Sequence, residues 1–289
     1  RLLNLSRSPG EDFQMVLTRY LIERFLYRLS KSRHSDRFIV KGAVLFALWL
    51  PGELFHRSTK DLDLLGHGDF KEQQLRDIVI DICRTEVTDD GLDFDISSVK
   101  VDPIRIDDYH GGFRVIAKAS LAGAALSLQV DVGLGDDVYP DPDPVSFPTL
   151  LEQPPAEVLV YRKETVISEK FHTLVDKGLS NSRMKDFFDI RFLARNFSFE
   201  AETLGKAIAS TFERRRTSLP TEVPIALTTA FSAEARAVQW KAFLRKSDLP
   251  AEPLAPVIEE IANFLWPLCQ QLHQEDPCSL RWLPGGPWR

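Results

Sequence analysis

Six prolines fall between residues 140 and 155, at Pro140, Pro142, Pro144, Pro148, Pro154 and Pro155. No regular helix accommodates that density, because each proline lacks an amide donor and its ring clashes with the preceding turn. The stretch reads as an extended connector, and the apolar pattern differs on its two sides. Before it, short apolar runs and alternating segments predict strands mixed with helices; after it, apolar residues recur at helical spacing. The expected organisation is an α/β domain over residues 1–139, a proline-rich connector over 140–155 and a helical domain over 156–289.

In the first part, Ser8-Pro9 followed by Glu11 and Asp12 predicts a helix start, and Phe13, Val16, Leu17, Tyr20, Leu21 and Phe25 continue it. Phe38-Ile39-Val40 reads as a short buried strand, Gly42 as a tight turn, and Ala43 to Leu50 as a helix ended by Pro51-Gly52. Phe70, Leu75, Ile78, Val79 and Ile82 mark a helix, and residues 96–106, 113–119 and 126–134 read as strands of a mixed sheet. Beyond the prolines, helices are expected over 166–174, 187–193, 204–212, 230–244 and 256–272. The tail around Pro284-Gly285-Gly286-Pro287 reads equally well as ordered or loose.

Bulk properties narrow the function classes. A net charge of −6 argues against a nonspecific polyanion binder, though not against a local basic groove. Cys83, Cys269 and Cys278 lack the paired spacing of a zinc site or a disulfide framework, which fits a reducing, cytoplasmic setting. The longest apolar run, Ala43 to Leu50, is far too short to span a membrane. The chain opens at Arg1 without methionine or a signal sequence, and so reads as a trimmed or expressed segment.

The chemistry is carried by acids. Asp61 and Asp63 flank Leu62 in the stretch Arg57-Ser-Thr-Lys-Asp-Leu-Asp-Leu64. On a strand both carboxylates share one face while Leu62 and Leu64 face the core. Such a pair repels itself unless a cation compensates, and magnesium suits all-oxygen ligands and substrate phosphates. Asp131 lies in a second alternating segment, Leu126-Ser-Leu-Gln-Val-Asp-Val-Gly133, where a carboxylate calls for an ion pair or a metal. Asp61, Asp63 and Asp131 could together clamp two cations. The bland alternatives are a solvated acidic pair and a structural partner for Asp131.

The ordered set Gly42-Ala43, Arg57 to Leu64 and Asp131 resembles the nucleotidyltransferase superfamily. Ser168-Glu-Lys-Phe-His172 and Arg183-Met-Lys-Asp-Phe-Phe-Asp-Ile190 resemble the later motifs of AbiEii-like toxins of type IV toxin-antitoxin systems. Ala43 stands where the superfamily often has serine, which removes one hydroxyl from the phosphate-binding turn. The resemblance implies a bilobed protein, with an α/β nucleotidyltransferase domain, an all-α helical domain and the active site in the groove between them. It further implies two Mg2+ ions held by Asp61, Asp63 and Asp131, nucleotide binding at Gly42, Ala43 and Lys170, and Asp186 as the acid after the basic pair, with Asp189 its competitor. The implied reaction transfers a nucleoside monophosphate from an NTP to RNA, particularly a tRNA 3′ end. Growth inhibition relieved by a cognate antitoxin, and a place in phage defence, follow from the same resemblance.

Other residues carry less. Arg162, Lys163, Arg183, Lys185, Arg191 and Arg195 could line an RNA-binding wall or form a solvated helix face. Arg214-Arg215-Arg216 reads as a helix end, the tryptophans as packing groups, and no histidine is given a catalytic role. A small-molecule nucleotidyltransferase, a protein-modifying one and a catalytically silent nucleotide-binding module remain as alternatives.

Overall fold

The structure, a computed structural model, describes residues 1–7, 12–49, 59–68, 70–105, 111–135, 138–274 and 279–289. Ser8 to Glu11, Leu50 to Ser58, Ile106 and Cys278 lie outside the described residues, and so therefore do the expected Ser8-Pro9 helix start, the Pro51-Gly52 stop and part of the Arg57 motif. The chain divides into two compact units. One comprises Arg1–Asp137 with Pro142–Tyr161, and the other Val138–Asp141 with Arg162–Arg289.

The first unit begins with α1 (Leu2–Arg7) and α2 (Phe13–Lys31). Asp12 caps α2 by accepting from the Gln14 amide at 3.0 Å. Then come β1 (Phe38–Lys41), a 3₁₀ turn at Gly42–Val44, α3 (Leu45–Trp49), β2 (Asp61–Gly66), α4 (Glu72–Arg84), β3 (Leu92–Arg105), β4 (Gly111–Leu121), β5 (Ala124–Leu134), β6 (Asp143–Phe147) and β7 (Ala156–Val160). The strands form one seven-stranded mixed sheet in the order β3-β4-β5-β2-β1-β7-β6. β2 runs antiparallel to β1 and parallel to β5, and β1 runs parallel to β7.

Residues 143–147, expected in a connector, are extended but hydrogen-bonded into this sheet as its edge strand β6. Pro144 is tolerated there because an edge strand has one side without a ladder to complete. The proline density forbids helix without forbidding a strand.

The core of this unit sits between the sheet and the apolar face of α2, where Leu21, Phe25, Leu26 and Leu29 are fully buried. α2 also buries Arg24 and Arg28 against Asp90. Arg28 clamps the carboxylate at 2.6 and 3.0 Å, and Arg24 Nε adds a bond at 3.1 Å. Burial alone would raise the Asp90 carboxyl, but the hydrogen bonds and charge of Arg28, then Arg24, outweigh it and hold it below the ordinary carboxylate range. Arg24 also donates to the Pro154 carbonyl at 3.0 Å, and the Leu150 amide donates to Glu23 at 2.7 Å. The second half of the proline stretch is thereby tied to α2.

The second unit is helical: α5 (Lys163–Lys177), α6 (Met184–Asn196), α7 (Ala201–Arg214), α8 (Glu234–Lys246) and α9 (Leu254–Gln274), with β8 (Phe199–Glu200) and β9 (Arg281–Trp282) as a two-stranded pair. That pair orders the tail, because Trp282 donates to the Ala194 carbonyl and Trp288 to that of Phe264, at 2.6 and 2.9 Å. Segment 230–244, expected as one helix, is instead a 3₁₀ turn at Thr229–Ser232 followed by α8. Among the described residues, no helix is long and apolar enough to cross a membrane.

Candidate nucleotidyl transfer site

The site is built from the centre of the sheet outward. Alternation along β2 buries Leu62 and Leu64 and leaves Asp61 and Asp63 half-buried on the opposite face. Thr59 fixes the strand entrance, its hydroxyl donating to the Asp61 carbonyl at 3.1 Å. In the parallel register Asp63 stands beside Asp131, and in the antiparallel register it stands beside Lys41. Asp131 in turn faces Arg114 on β4. Residues directly paired across strands project to the same face. One row therefore crosses four strands as Lys41, Asp63, Asp131 and Arg114, with two acids in the middle and a base at each end.

Neighbouring strands lie about 4.8 Å apart, so the two central carboxylates repel unless a cation offsets them. Arg114 supplies part of the compensation. Its Nε and Nη2 donate to Asp131 Oδ1 and Oδ2 at 2.9 and 2.8 Å, and Gln129 adds a bond to Oδ1 at 3.3 Å. The hydrogen bonds to Asp131 push the Arg114 guanidinium above its ordinary range, with the charges of Asp131, Asp61 and Asp63 adding to the effect.

Gly42 packs against the same face. Its φ is +77°, and a Cβ placed there would lie 2.0 Å from Asp63 Oδ2. Only glycine allows both the backbone conformation and the approach. Ala43, next in the 3₁₀ turn, is buried and offers no hydroxyl.

Magnesium would find a suitable donor chemistry in Asp61 and Asp63, which are oxygen-only, acidic and aligned on one face. Among the described residues, however, no three acidic, imidazole or thiol groups are gathered as they stand to hold a metal ion. The reason for Asp131 is visible in its two occupied oxygens.

In the second unit, Asp186 and Asp189 lie one turn apart on α6, both with no exposure. Lys170 of α5 bridges them, with Nζ 2.9 Å from Asp186 Oδ1 and 2.8 Å from Asp189 Oδ2. Arg183 closes on Asp186 Oδ2 at 2.6 Å. Burial pushes the Asp186 carboxyl up, but the charges and hydrogen bonds of Lys170 and Arg183 outweigh it and leave it lowered. Both acids thus hold Lys170, and neither displaces the other. The Asp186 side chain makes no capping bond to α6.

Neighbouring residues prove structural. Glu169 pairs with Arg214 at 3.2 Å. His172 is buried, with Nδ1 facing an Arg215 donor at 3.1 Å and Nε2 bonded to Thr217 at 2.9 Å. Since arginine only donates, Nδ1 accepts and Nε2 carries the proton. Of the expected basic wall, Arg191 pairs with Glu252 and Glu260, and Arg195 with Glu260. These two arginines fasten α6 to acids of the α8–α9 segment.

Residues 24–265 match the family described as nucleotidyl transferase AbiEii toxin, Type IV TA system. The chain belongs to that family. The AbiEii relationship makes it a nucleotidyltransferase of the toxin-antitoxin class, which also implies an antitoxin partner and a nucleotide substrate. The crystal structure of JHP933 from Helicobacter pylori aligns with a TM-score of 0.51 at 14% sequence identity, covering 91% of this chain and 94% of that one, which speaks to the fold alone. A second H. pylori structure aligns at a TM-score of 0.47 with 15% identity, covering 92% and 99% of the two chains. No curated protein matches the chain at a significant level.

Arg114, Lys41 and Gln129 escaped the sequence reading. The signal for Arg114 is the hairpin turn Ala122-Gly123, from which the pairing of Arg114 with Asp131 follows by counting back along both strands.

Proposed function

We propose that this AbiEii-family chain transfers a nucleoside monophosphate from an NTP to an RNA hydroxyl, a tRNA 3′ end first among candidates, in a Mg2+-dependent reaction in the cytoplasm. Growth is inhibited until the cognate antitoxin intervenes. The observation that carries the reading is the charged row on β1, β2, β5 and β4, with Asp61 beside it and Gly42 against Asp63.

In the reaction, the acceptor oxygen forms a bond to the α-phosphorus, the bond from that phosphorus to the β-phosphate oxygen breaks, and pyrophosphate leaves. Asp131 is assigned the proton lost by the acceptor hydroxyl. Asp61 and Asp63, with Asp131, would hold the magnesium, which when bound supplies charge neutralisation at the phosphate oxygens. The glycine turn at Gly42-Ala43 is assigned the approach of backbone amides to the phosphates. Lys170 is assigned the departing phosphates and Asp186 its orientation, because a lysine held between two buried carboxylates keeps its charge in a fixed place.

A small-molecule acceptor is the second reading. It is favoured by one observation: Arg191 and Arg195, expected to contact RNA, are engaged with Glu252 and Glu260.

The test incubates the protein with each labelled NTP and total tRNA, alongside an Asp63→Ala variant. Label transfer to tRNA that the variant loses supports the proposal. Absence of transfer with every NTP, or equal transfer by the variant, rejects it.

A further inference from the structure

We propose that Arg114 is a resident counter-ion of the carboxylate site, occupying Asp131 in the metal-free chain and swinging off it when a divalent cation binds. The inference rests on the reading of Asp61, Asp63 and Asp131 as the metal carboxylates, and it assigns a regulating role to a residue outside that set.

Three observations support it. First, the contact is bidentate: Nε and Nη2 each take one oxygen of Asp131, at 2.9 and 2.8 Å. This fork-on-fork geometry uses the in-plane lone pairs that a metal would need. While it persists, Asp131 cannot complete a metal set with Asp61 and Asp63. Secondly, the row places Arg114 next to the acids without interposing on Asp63, since β4 pairs with β5 and not with β2. Asp61 and Asp63 can therefore receive a cation first. Thirdly, the Arg114 side chain is 41% exposed and that of Asp131 17% exposed. A pair so open to water is held only weakly, so a divalent ion with higher charge can displace the guanidinium without unfolding the strand. A buried pair could not exchange in this way.

Exchange also changes what the site presents. A guanidinium leaving Asp131 stays tethered to β4 on the same sheet face, where it becomes available to an anion. The site would then carry its free arginine only in the metal-loaded state.

The test measures Mn2+ binding to the full chain without nucleotide, following free Mn2+ by electron paramagnetic resonance, for wild type, Arg114→Gln, Arg114→Lys and Asp63→Ala. Circular dichroism checks that each variant is folded. Removing a partly exposed competing ion pair should tighten Mn2+ binding about five- to tenfold in Arg114→Gln. Arg114→Lys, which keeps the charge but cannot clamp two oxygens, should fall between it and wild type. Detectable binding by Arg114→Gln alone would also support the proposal. Equal or weaker binding by folded Arg114→Gln overturns it, and if Asp63→Ala abolishes the wild-type signal in that case, the carboxylate site itself stands. Mn2+ binding that survives Asp63→Ala places the ion elsewhere and overturns both.

Discussion

The close approach of Gly42 to Asp63 allows a single methyl group to separate stability from catalysis. In Gly42→Ala the new Cβ would start 2.0 Å from Asp63 Oδ2 and 2.7 Å from its Cγ, on a backbone with φ of +77°. Carbon and oxygen in ordinary contact sit beyond 3 Å, so the carboxylate must retreat by about 1 Å or more. A carboxylate is the far end of a side chain and can rotate away, which keeps the steric cost small. The left-handed backbone adds about 1–2 kcal/mol for any residue with a Cβ. Stability should therefore fall by roughly that amount, a few degrees in melting temperature. Activity should fall by about a hundredfold, because displacing a catalytic group by 1 Å costs on that order. Gly123→Ala is the matched control: φ is +83° there, and nothing lies within 4 Å of the added methyl. It should lose comparable stability and keep its nucleotidyl transfer rate. The assay pairs thermal unfolding with labelled-NTP transfer for both variants. Equal rates in the two would refute the claim that Gly42 serves the position of Asp63, leaving only a backbone role.

Two further outcomes are expected. Lys170→Met should leave Asp186 and Asp189 buried with too little positive charge, lowering stability by about 3–5 kcal/mol; a denaturation midpoint equal to wild type would show that the pair is not held as described. Asp90→Asn should destabilise the chain at neutral pH by loosening Arg24 and Arg28. Because the folded Asp90 carboxyl is lowered, its contribution is complete above the unfolded value of about 3.9 and is lost as pH falls below it. The difference between variant and wild type should narrow in acid, and a gap that persists or widens there would contradict the sign.

How much of this was legible in the sequence depends on the range of the interactions that decide each feature. Strand β2 announces itself locally, since alternation alone turns Asp61 and Asp63 away from Leu62 and Leu64. Helices α5, α6, α7 and α9 follow from apolar spacing within a few turns. Strand β6 does not, because Pro144 obscures it and only an edge position in a sheet assembled from distant segments makes it possible. The partner of Asp131 is an intermediate case. Ala122 and Gly123 both have positive φ, at 49° and 83°, the signature of a two-residue hairpin whose twist suits the flanking strands. Asparagine before glycine would have marked that turn; alanine conceals it, and with it the register that brings Arg114 opposite Asp131. The tail was open either way, and Trp282 and Trp288 order it through carbonyls of Ala194 and Phe264 that are remote in sequence.

The two acidic clusters differ in the property that matters for their use. Asp131 and Arg114 meet where water reaches both, and an exposed pair of this kind contributes about 1 kcal/mol or less. Asp186 and Asp189 are wholly buried, and breaking their pairing with Lys170 would cost several times as much. The first cluster can thus change partners within the energy a divalent ion supplies, whereas the second holds one arrangement throughout. If nucleotidyl transfer needs both a site that assembles on demand and a cation fixed in place, Arg114 and Lys170 divide the work by their exposure. Exchanging their environments, by burying Arg114 or opening Lys170 to water, would be more damaging than conservative changes to either charge.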